Sequence, residues 1–355
     1  MTDRAVILHG PDRALKRHLV CGGRTIRLAC PFDEEELEAS SIGPGGRPVV
    51  KTRKIMMTRR DFVQAAGAAG TAAILAGAAN DALAASPPLQ WKHFPAGENG
   101  FFRAPVLLSG TKEAILVDGG FSLPDGLAVA EAIKASGKTL TTIYISQSDP
   151  DYYFSLGPIR TAFPSARVIA ASATITAIKA SAEKKLAVWR PQLKENGPQR
   201  LADIVIPEAF DGATLSLDGH RIDIVPAEGL ENRRYLWVPS LDAVFGGVLI
   251  FSGLHVWTAD TATSQARVAW IRTLDAIVAR KPRIVVPGHM AVNSSIDASA
   301  VAYTRDYLVA FDKELARAAD SAALIAAMTK RYPNAGLPAA LQIGAKVAKG
   351  EMKWD

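Results

Sequence analysis

The 355-residue chain reads as an α/β protein, with β-strands forming its core and helices packed against them. Three observations carry this reading. Short β-branched or alternating apolar runs recur along the chain with helical runs between them. From about residue 86 to 310 these runs fall into two halves, each of strands followed by helix. Hydrophobic residues make up 48% and charged residues 21%, enough apolar surface for a large buried core. Two architectures satisfy the pattern: two sheets packed face to face with helices on both outer sides, or one parallel sheet.

In chain order, Val106–Ser109 and Ala114–Val117 are expected strands joined by the turn Gly110-Thr111-Lys112. Leu127–Ala135 has helical spacing and stops before Gly137. Thr141–Ser146 is a β-branched run, Tyr153–Phe163 a helix, Arg167–Ala171 a strand, and Ser172–Lys194 a long helix. In the second half, Thr214–Leu217 and Arg221–Val225 flank Asp218-Gly219, a hairpin signal. Tyr235–Val238 and Ala243–Phe245 flank a turn at Pro239-Ser240. Ser264–Ala279 is amphipathic, Arg283–Val286 is strand-like, and Pro287-Gly288-His289 is a loop. From Ser299 onward the chain is helical, broken at Pro333–Gly336. Residues 311–355 therefore form a helical extension.

Charge separates the front of the chain from its body. Residues 1–60 hold 12 Lys/Arg and 7 Asp/Glu, leaving 29 and 28 for all the rest. Five of the six net positive charges thus belong to the leader, and the near-neutral body gives no reason to expect nucleic-acid binding. Both cysteines, Cys21 and Cys30, also lie there, so the body has no disulfide, no Cys-ligated zinc and no Cys nucleophile.

Residues 56–85 have the order of an export signal: Arg59-Arg60, then an Ala/Gly-rich apolar stretch from Ala65 to Ala79, then Ala82-Leu83-Ala84 as a small-x-small cleavage pattern. The run Thr58-Arg59-Arg60-Asp61-Phe62 resembles the twin-arginine signal. Alanine and glycine outweigh leucine and isoleucine, so a permanent membrane span is not expected. Residues 1–55 fit no export signal. With Met56-Met57 just before the arginines, they are read as a non-native or disordered leader. The expected location is periplasmic or secreted, with the export machinery as a partner.

Three segments carry a family resemblance. Ala114–Gly120 (AILVDGG), Ile143–Gly157 (IYISQSDPDYYFSLG) and Val285–His289 (VVPGH) are similar, in order and spacing, to the strand-end loops of the metallo-β-lactamase superfamily. The resemblance covers about residues 100–292. It implies the first of the two architectures, an αββα sandwich flanked by helices, and a zinc-activated water as the superfamily's chemistry.

The ligand positions depart from that pattern. Gln147, Asp149, Asp151 and Tyr152 stand where the H-x-H-x-D-H motif belongs, and only Asp151 matches by type. No histidine lies near Pro226 or Glu228, and Phe245–Val248 contains no carboxylate. His289 matches the last ligand. The motif is similar to an H-x-D-x-D-Y version found in a periplasmic subgroup, with Gln147 in place of its histidine. A di-zinc centre is therefore not expected. Gln147, Asp149, Asp151 and His289, with His255 and Asp260 nearby in sequence, offer oxygen-rich ligands for at most one divalent ion: zinc, manganese, magnesium or calcium.

Asp151 or Asp149 is expected to activate water, with a helix cap as the alternative or additional role of Asp151. Tyr152 is expected at an oxyanion, or packed beside Tyr153 and Phe154. Asp118 is expected to orient the motif loop. His93 and His220 read as structural, and Trp189, Trp237 and Trp257 as core or pocket wall. Two functions remain open: hydrolysis of a small-molecule ester, lactone, amide or phosphoester, or ligand binding by a pseudo-enzyme that has lost its zinc.

Overall fold

The computed structural model describes residues 19–21, 24–26 and 87–354. The expected export signal lies outside them, as does most of the leader. The chain divides into two compact units, Met1–Asn80 and Asp81–Asp355. In the first, strands β1 (Leu19–Cys21) and β2 (Arg24–Ile26) pair antiparallel.

The second unit holds two principal sheets. Strands β3 (Gln90–His93), β4 (Val106–Ser109), β5 (Glu113–Val117), β6 (Thr139–Ile145), β7 (Arg167–Ala170) and β8 (Glu208–Ala209) lie side by side in that order. The first three run antiparallel and the rest parallel. The other sheet has the order β14-β12-β11-β10-β9, from β9 (Thr214–Leu217), β10 (His220–Pro226), β11 (Arg234–Val238), β12 (Ala243–Phe245) and β14 (Ile284–Val285). A short pair, β13 (Phe251–Ser252) and β15 (His289–Met290), runs parallel beside them.

Side-chain alternation explains the layering, because successive residues of a strand face opposite sides. Val106, Leu108, Ile115, Val117, Tyr144 and Ile169 meet Leu217, Ile222, Leu236, Val238 and Phe245 in one core between the sheets. Their neighbours Leu107, Leu116, Ile143, Ile145 and Val168 point outward into a second core. There they meet helices α1 (Leu123–Ala135), α2 (Leu156–Ala162) and α3 (Ser172–Leu193). On the other sheet, Val244 and Val285 belong to that same outer cluster with α4 (Ser264–Ala279) and α5 (Ala298–Leu315). The fold is an αββα sandwich.

The C-terminal region is helical as expected: α6 (Ser321–Arg331) and α7 (Pro338–Ala348) follow α5. Leu324, Met328, Leu341 and Ala345 share the outer core with α5, and α5 itself runs across residue 310. Among the described residues no helix is long and apolar enough to cross a membrane.

Several boundaries differ from the sequence reading. Helix α1 begins at Leu123, because Ser122 and Asp125 form a reciprocal capping box and Pro124 sits in the first turn, where its missing N–H is not needed. The helix expected over Tyr153–Phe163 starts at Leu156, because Pro150 opens a separate 3-10 turn over Pro150–Tyr152. His289 lies in a strand, not a loop, because Phe251, far from it in sequence, pairs with it.

Candidate active site

Asp118 follows β5 directly with φ 62°, a left-handed conformation uncommon for a side chain larger than glycine. Its buried carboxylate offsets that strain by accepting from the Ser146 backbone N–H at 2.7 Å and the Ser146 hydroxyl at 2.9 Å. It thereby ties the end of β5 to the start of the motif loop after β6. Burial raises its carboxyl above the usual range, against Arg103 and Ser146, which pull it down. It does not line the cavity described below.

Arg103 is the residue that the sequence reading missed. It is fully buried. Its guanidinium lies 3.5 Å from the Tyr152 ring centroid and 3.5 Å from an Asp118 oxygen. Its Nε is 3.2 Å from the Asp151 carbonyl and 3.6 Å from Asp151 Oδ2, and Nη1 donates to the Gly288 carbonyl. One planar fork thus joins the loops after β5, after β6 and before β15. No motif marks it; the only sequence signal is a lone charge in the apolar run FFRAPVLL.

The loops so joined bring Asp151, Tyr152 and His289 together. His289 Nε2 lies 3.3 Å from Asp151 Oδ2 and 3.4 Å from the Tyr152 hydroxyl. Its Nδ1 lies 2.9 Å from the Phe101 carbonyl, which can only accept, so Nδ1 carries the ring proton. The ring stacks on Phe251 at 4.8 Å. Burial and Arg103 push the imidazole down to about 3, so it is neutral. Burial pushes Asp151 up to about 7, opposed by Arg103 and reinforced by Asp149. Asp151 Oδ2 has no hydrogen-bond partner among the described residues.

Asp149 is held differently. Burial alone would raise it, but Lys185 Nζ of α3 lies 2.6 Å from Oδ1, and the carboxyl stays below its usual range. Gln147 is buried and donates its amide to Asp149 Oδ2 at 2.7 Å. Lys185 was not anticipated from sequence, because a lysine midway along a polar helix has no distinguishing pattern.

A cavity of about 310 Å³ opens over this cluster. Phe101, Phe121, Trp189, Phe251, Trp257 and Trp354 wall it, and Asp149, Asp151, Lys184, Lys185, His289 and Lys353 supply its polar groups. An apolar chamber with a few convergent polar groups is the usual form of a small-molecule site. Tyr152 does not line it. Its phenol is buried behind His289, with its ionisation pushed well above the usual tyrosine range by burial, so it supports the imidazole and does not face a substrate. His255 is turned elsewhere, with Nδ1 3.0 Å from the Tyr307 hydroxyl on α5. Asp260 accepts from the indoles of Trp257 at 2.8 Å and Trp354 at 3.0 Å, holding two cavity walls.

The donor set does not fit a tightly held divalent ion. Asp151 Oδ2 and His289 Nε2 face each other, but Lys185 occupies Asp149 and the Arg103 guanidinium stands 3.6 Å from that same Oδ2. Among the described residues no three His, Cys, Asp or Glu side chains are grouped to hold a metal. At Phe245–Val248, Gly246 and Gly247 take φ 72° and 79°. A side chain on Gly247 would collide with the Arg234 carbonyl, and one on Gly288 with the Gly247 carbonyl. Backbone thus crowds the position at which the resemblance implies a bridging carboxylate.

No protein-family model matches the chain, and no curated protein matches it. The solved structures it resembles include a metallo-β-lactamase. That protein, DIM-1, is 16% identical over 63% of this chain and 98% of its own, with a TM-score of 0.41. VMB-1 is 17% identical over 63% of this chain and 94% of its own, with a TM-score of 0.43. TMB-1 is 16% identical over 62% and 92%, with a TM-score of 0.39.

Proposed function

We propose that the chain is a hydrolase of a small ester, lactone or amide, working by carboxylate acid–base catalysis without a tightly bound metal. The observation that carries this is Asp151 Oδ2 facing His289 Nε2 at 3.3 Å on the wall of an apolar cavity. A carboxyl raised to about 7 is poised to exchange a proton near neutral pH. Ionised Asp151 takes a proton from water as the water oxygen bonds to the acyl carbon. It returns that proton to the leaving oxygen or nitrogen as the adduct collapses. Neutral His289 accepts a hydrogen bond from protonated Asp151 and fixes its orientation. Lys185 Nζ, also on the cavity wall, provides positive charge for the developing oxyanion. The same proposal includes export through a twin-arginine signal, which the order of residues 56–85 supports.

The test is turnover of a panel of p-nitrophenyl esters and aryl lactones by chelator-treated protein. Asp151→Asn is expected to lose about 10²–10⁴-fold in kcat/KM, with zinc content below stoichiometric by elemental analysis. Undiminished turnover in Asp151→Asn, or activity that follows a dialysis-resistant zinc content, overturns it. No turnover of any panel member by the wild type favours the second reading, a binding protein. The Asp149–Lys185 pair gives that reading its support, since it leaves one carboxylate fully compensated.

A further inference from the structure

Deepening the hydrolase reading above, on which it rests for its site, we propose that the cavity takes a substrate carrying a flat aromatic ring system. Asp260 is the positioning residue that sets this preference, by holding the indoles of Trp257 and Trp354 in place.

The cavity wall is a sequence of rings. Trp189 lies 5.3 Å from Phe121, Phe121 5.7 Å from Phe101, Phe101 5.8 Å from Trp257, and Trp257 5.3 Å from Trp354. Every step is edge-on, at the spacing where ring quadrupoles attract. Trp189, Phe101 and Trp354 are only half-buried, so ring surface remains for a guest. A flat aromatic guest continues the sequence of ring contacts, whereas a saturated guest of the same size gains only buried area. The volume of about 310 Å³ is at the small end of ligand pockets and suits a fused ring beside a carbonyl group. The exposed side chains of Val188 and Met352 also line the cavity, so the guest meets apolar surface on its open side as well.

The tryptophan end of this wall is held by more than packing. The two oxygens of Asp260 are divided between the indoles: Oδ2 accepts from Trp257 Nε1 at 2.8 Å and Oδ1 from Trp354 Nε1 at 3.0 Å. A charged acceptor makes such bonds stronger than neutral ones. The buried Arg233 guanidinium stands 3.8 Å from Oδ2 and 5.1 Å from the Trp270 ring of α4, so the countercharge of Asp260 is itself anchored. The segment bearing Trp354 is tied a second time, where Glu351 accepts from the Ser321 backbone N–H at 2.8 Å. One carboxylate therefore sets the angle between two rings from distant parts of the chain. Without it the indoles keep apolar contacts but turn more freely, and an edge-on contact with a guest needs a fixed ring plane.

The test is calorimetric titration of the full chain with 2-acetylnaphthalene and its saturated analogue 2-acetyldecahydronaphthalene. Both present a carbonyl to Asp151 and His289, and neither has a hydrolysable bond. The aromatic ketone is expected to bind about tenfold more tightly, the sum of a pair of ring contacts of ordinary strength. Asp260→Ala should bring the two ketones to equal affinity by weakening only the aromatic one. Asp260→Asn, which keeps one acceptor oxygen, should fall between. Trp354→Leu, which removes the outer ring but keeps apolar volume, should lose about threefold of the preference and leave the saturated ketone unchanged. Equal binding of the two ketones by the wild type, no binding of either, or an undiminished preference in Asp260→Ala or in Trp354→Leu overturns the proposal. Because binding is read without turnover, an aromatic preference in a protein that hydrolyses no ester sinks the hydrolase reading alone. Ester turnover without that preference sinks this one alone.

Discussion

The Arg103 guanidinium lies over the Tyr152 ring, 3.5 Å from its centroid, while its nitrogens reach Asp118, Asp151 and Gly288. Removing this side chain leaves two buried carboxylates without their nearest countercharge. Arg103→Met is expected to cost about 3–5 kcal/mol. Arg103→Lys, which keeps the charge but loses the planar fork, should fall between it and wild type. Urea unfolding followed by tryptophan fluorescence measures both. A loss below about 1 kcal/mol for Arg103→Met would show that the loops are held by other contacts.

The pH dependence follows from two opposed shifts. Asp151 is raised from 3.8 to about 7 in the fold. As pH rises from 3.8 towards 7, the unfolded chain releases this proton while the folded chain retains it, so stability falls across that window. Asp151→Asn should abolish this fall and be at least as stable as wild type above pH 7. His289 is lowered from 6.5 to about 3. As pH drops through that window the unfolded chain gains a proton that the folded chain does not, and stability falls again. Unfolding free energies across pH for wild type, Asp151→Asn and His289→Asn test both signs. The hydrolase reading adds that kcat/KM rises with pH through about 7 as Asp151 ionises.

Lys185→Met should cost about 1–3 kcal/mol, because Asp149 then lies partly buried without its 2.6 Å partner. Adding Asp149→Asn should recover most of that loss. Additive losses in the double-mutant cycle would mean that the two side chains do not act as a pair.

Export is tested separately. Replacing both Arg59 and Arg60 with lysine in a chain starting at Met57 should leave uncleaved precursor in the cytoplasm, while the unaltered signal is cut near Ala84. Fractionation and immunoblotting read the outcome. Efficient export of the double variant would remove the twin-arginine reading.

The sandwich was legible in the sequence where patterning is local. Ala114–Val117 is a short apolar run and Thr141–Ser146 a β-branched, aromatic one, and Asp118 directly follows the first. What escaped was set by distant partners. His289 becomes a strand residue only through Phe251. Arg103 has no local signature, because its purpose is to join three loops from positions 118, 151 and 288. Trp354 reaches the cavity from the far end of the chain through Asp260, which no spacing rule would link to it.

The His289 ring has one face and both of its nitrogens in contact with neighbours. Phe251 stacks on it with an interplanar angle of 7°, and the Phe101 carbonyl fixes Nδ1. A histidine that relays protons by swinging between two positions needs room to turn and a free second nitrogen. This one has neither, so any proton leaving the cavity through it must pass along a single fixed line at Nε2, between Asp151 and Tyr152. Solvent cannot be reached by rotation of the ring.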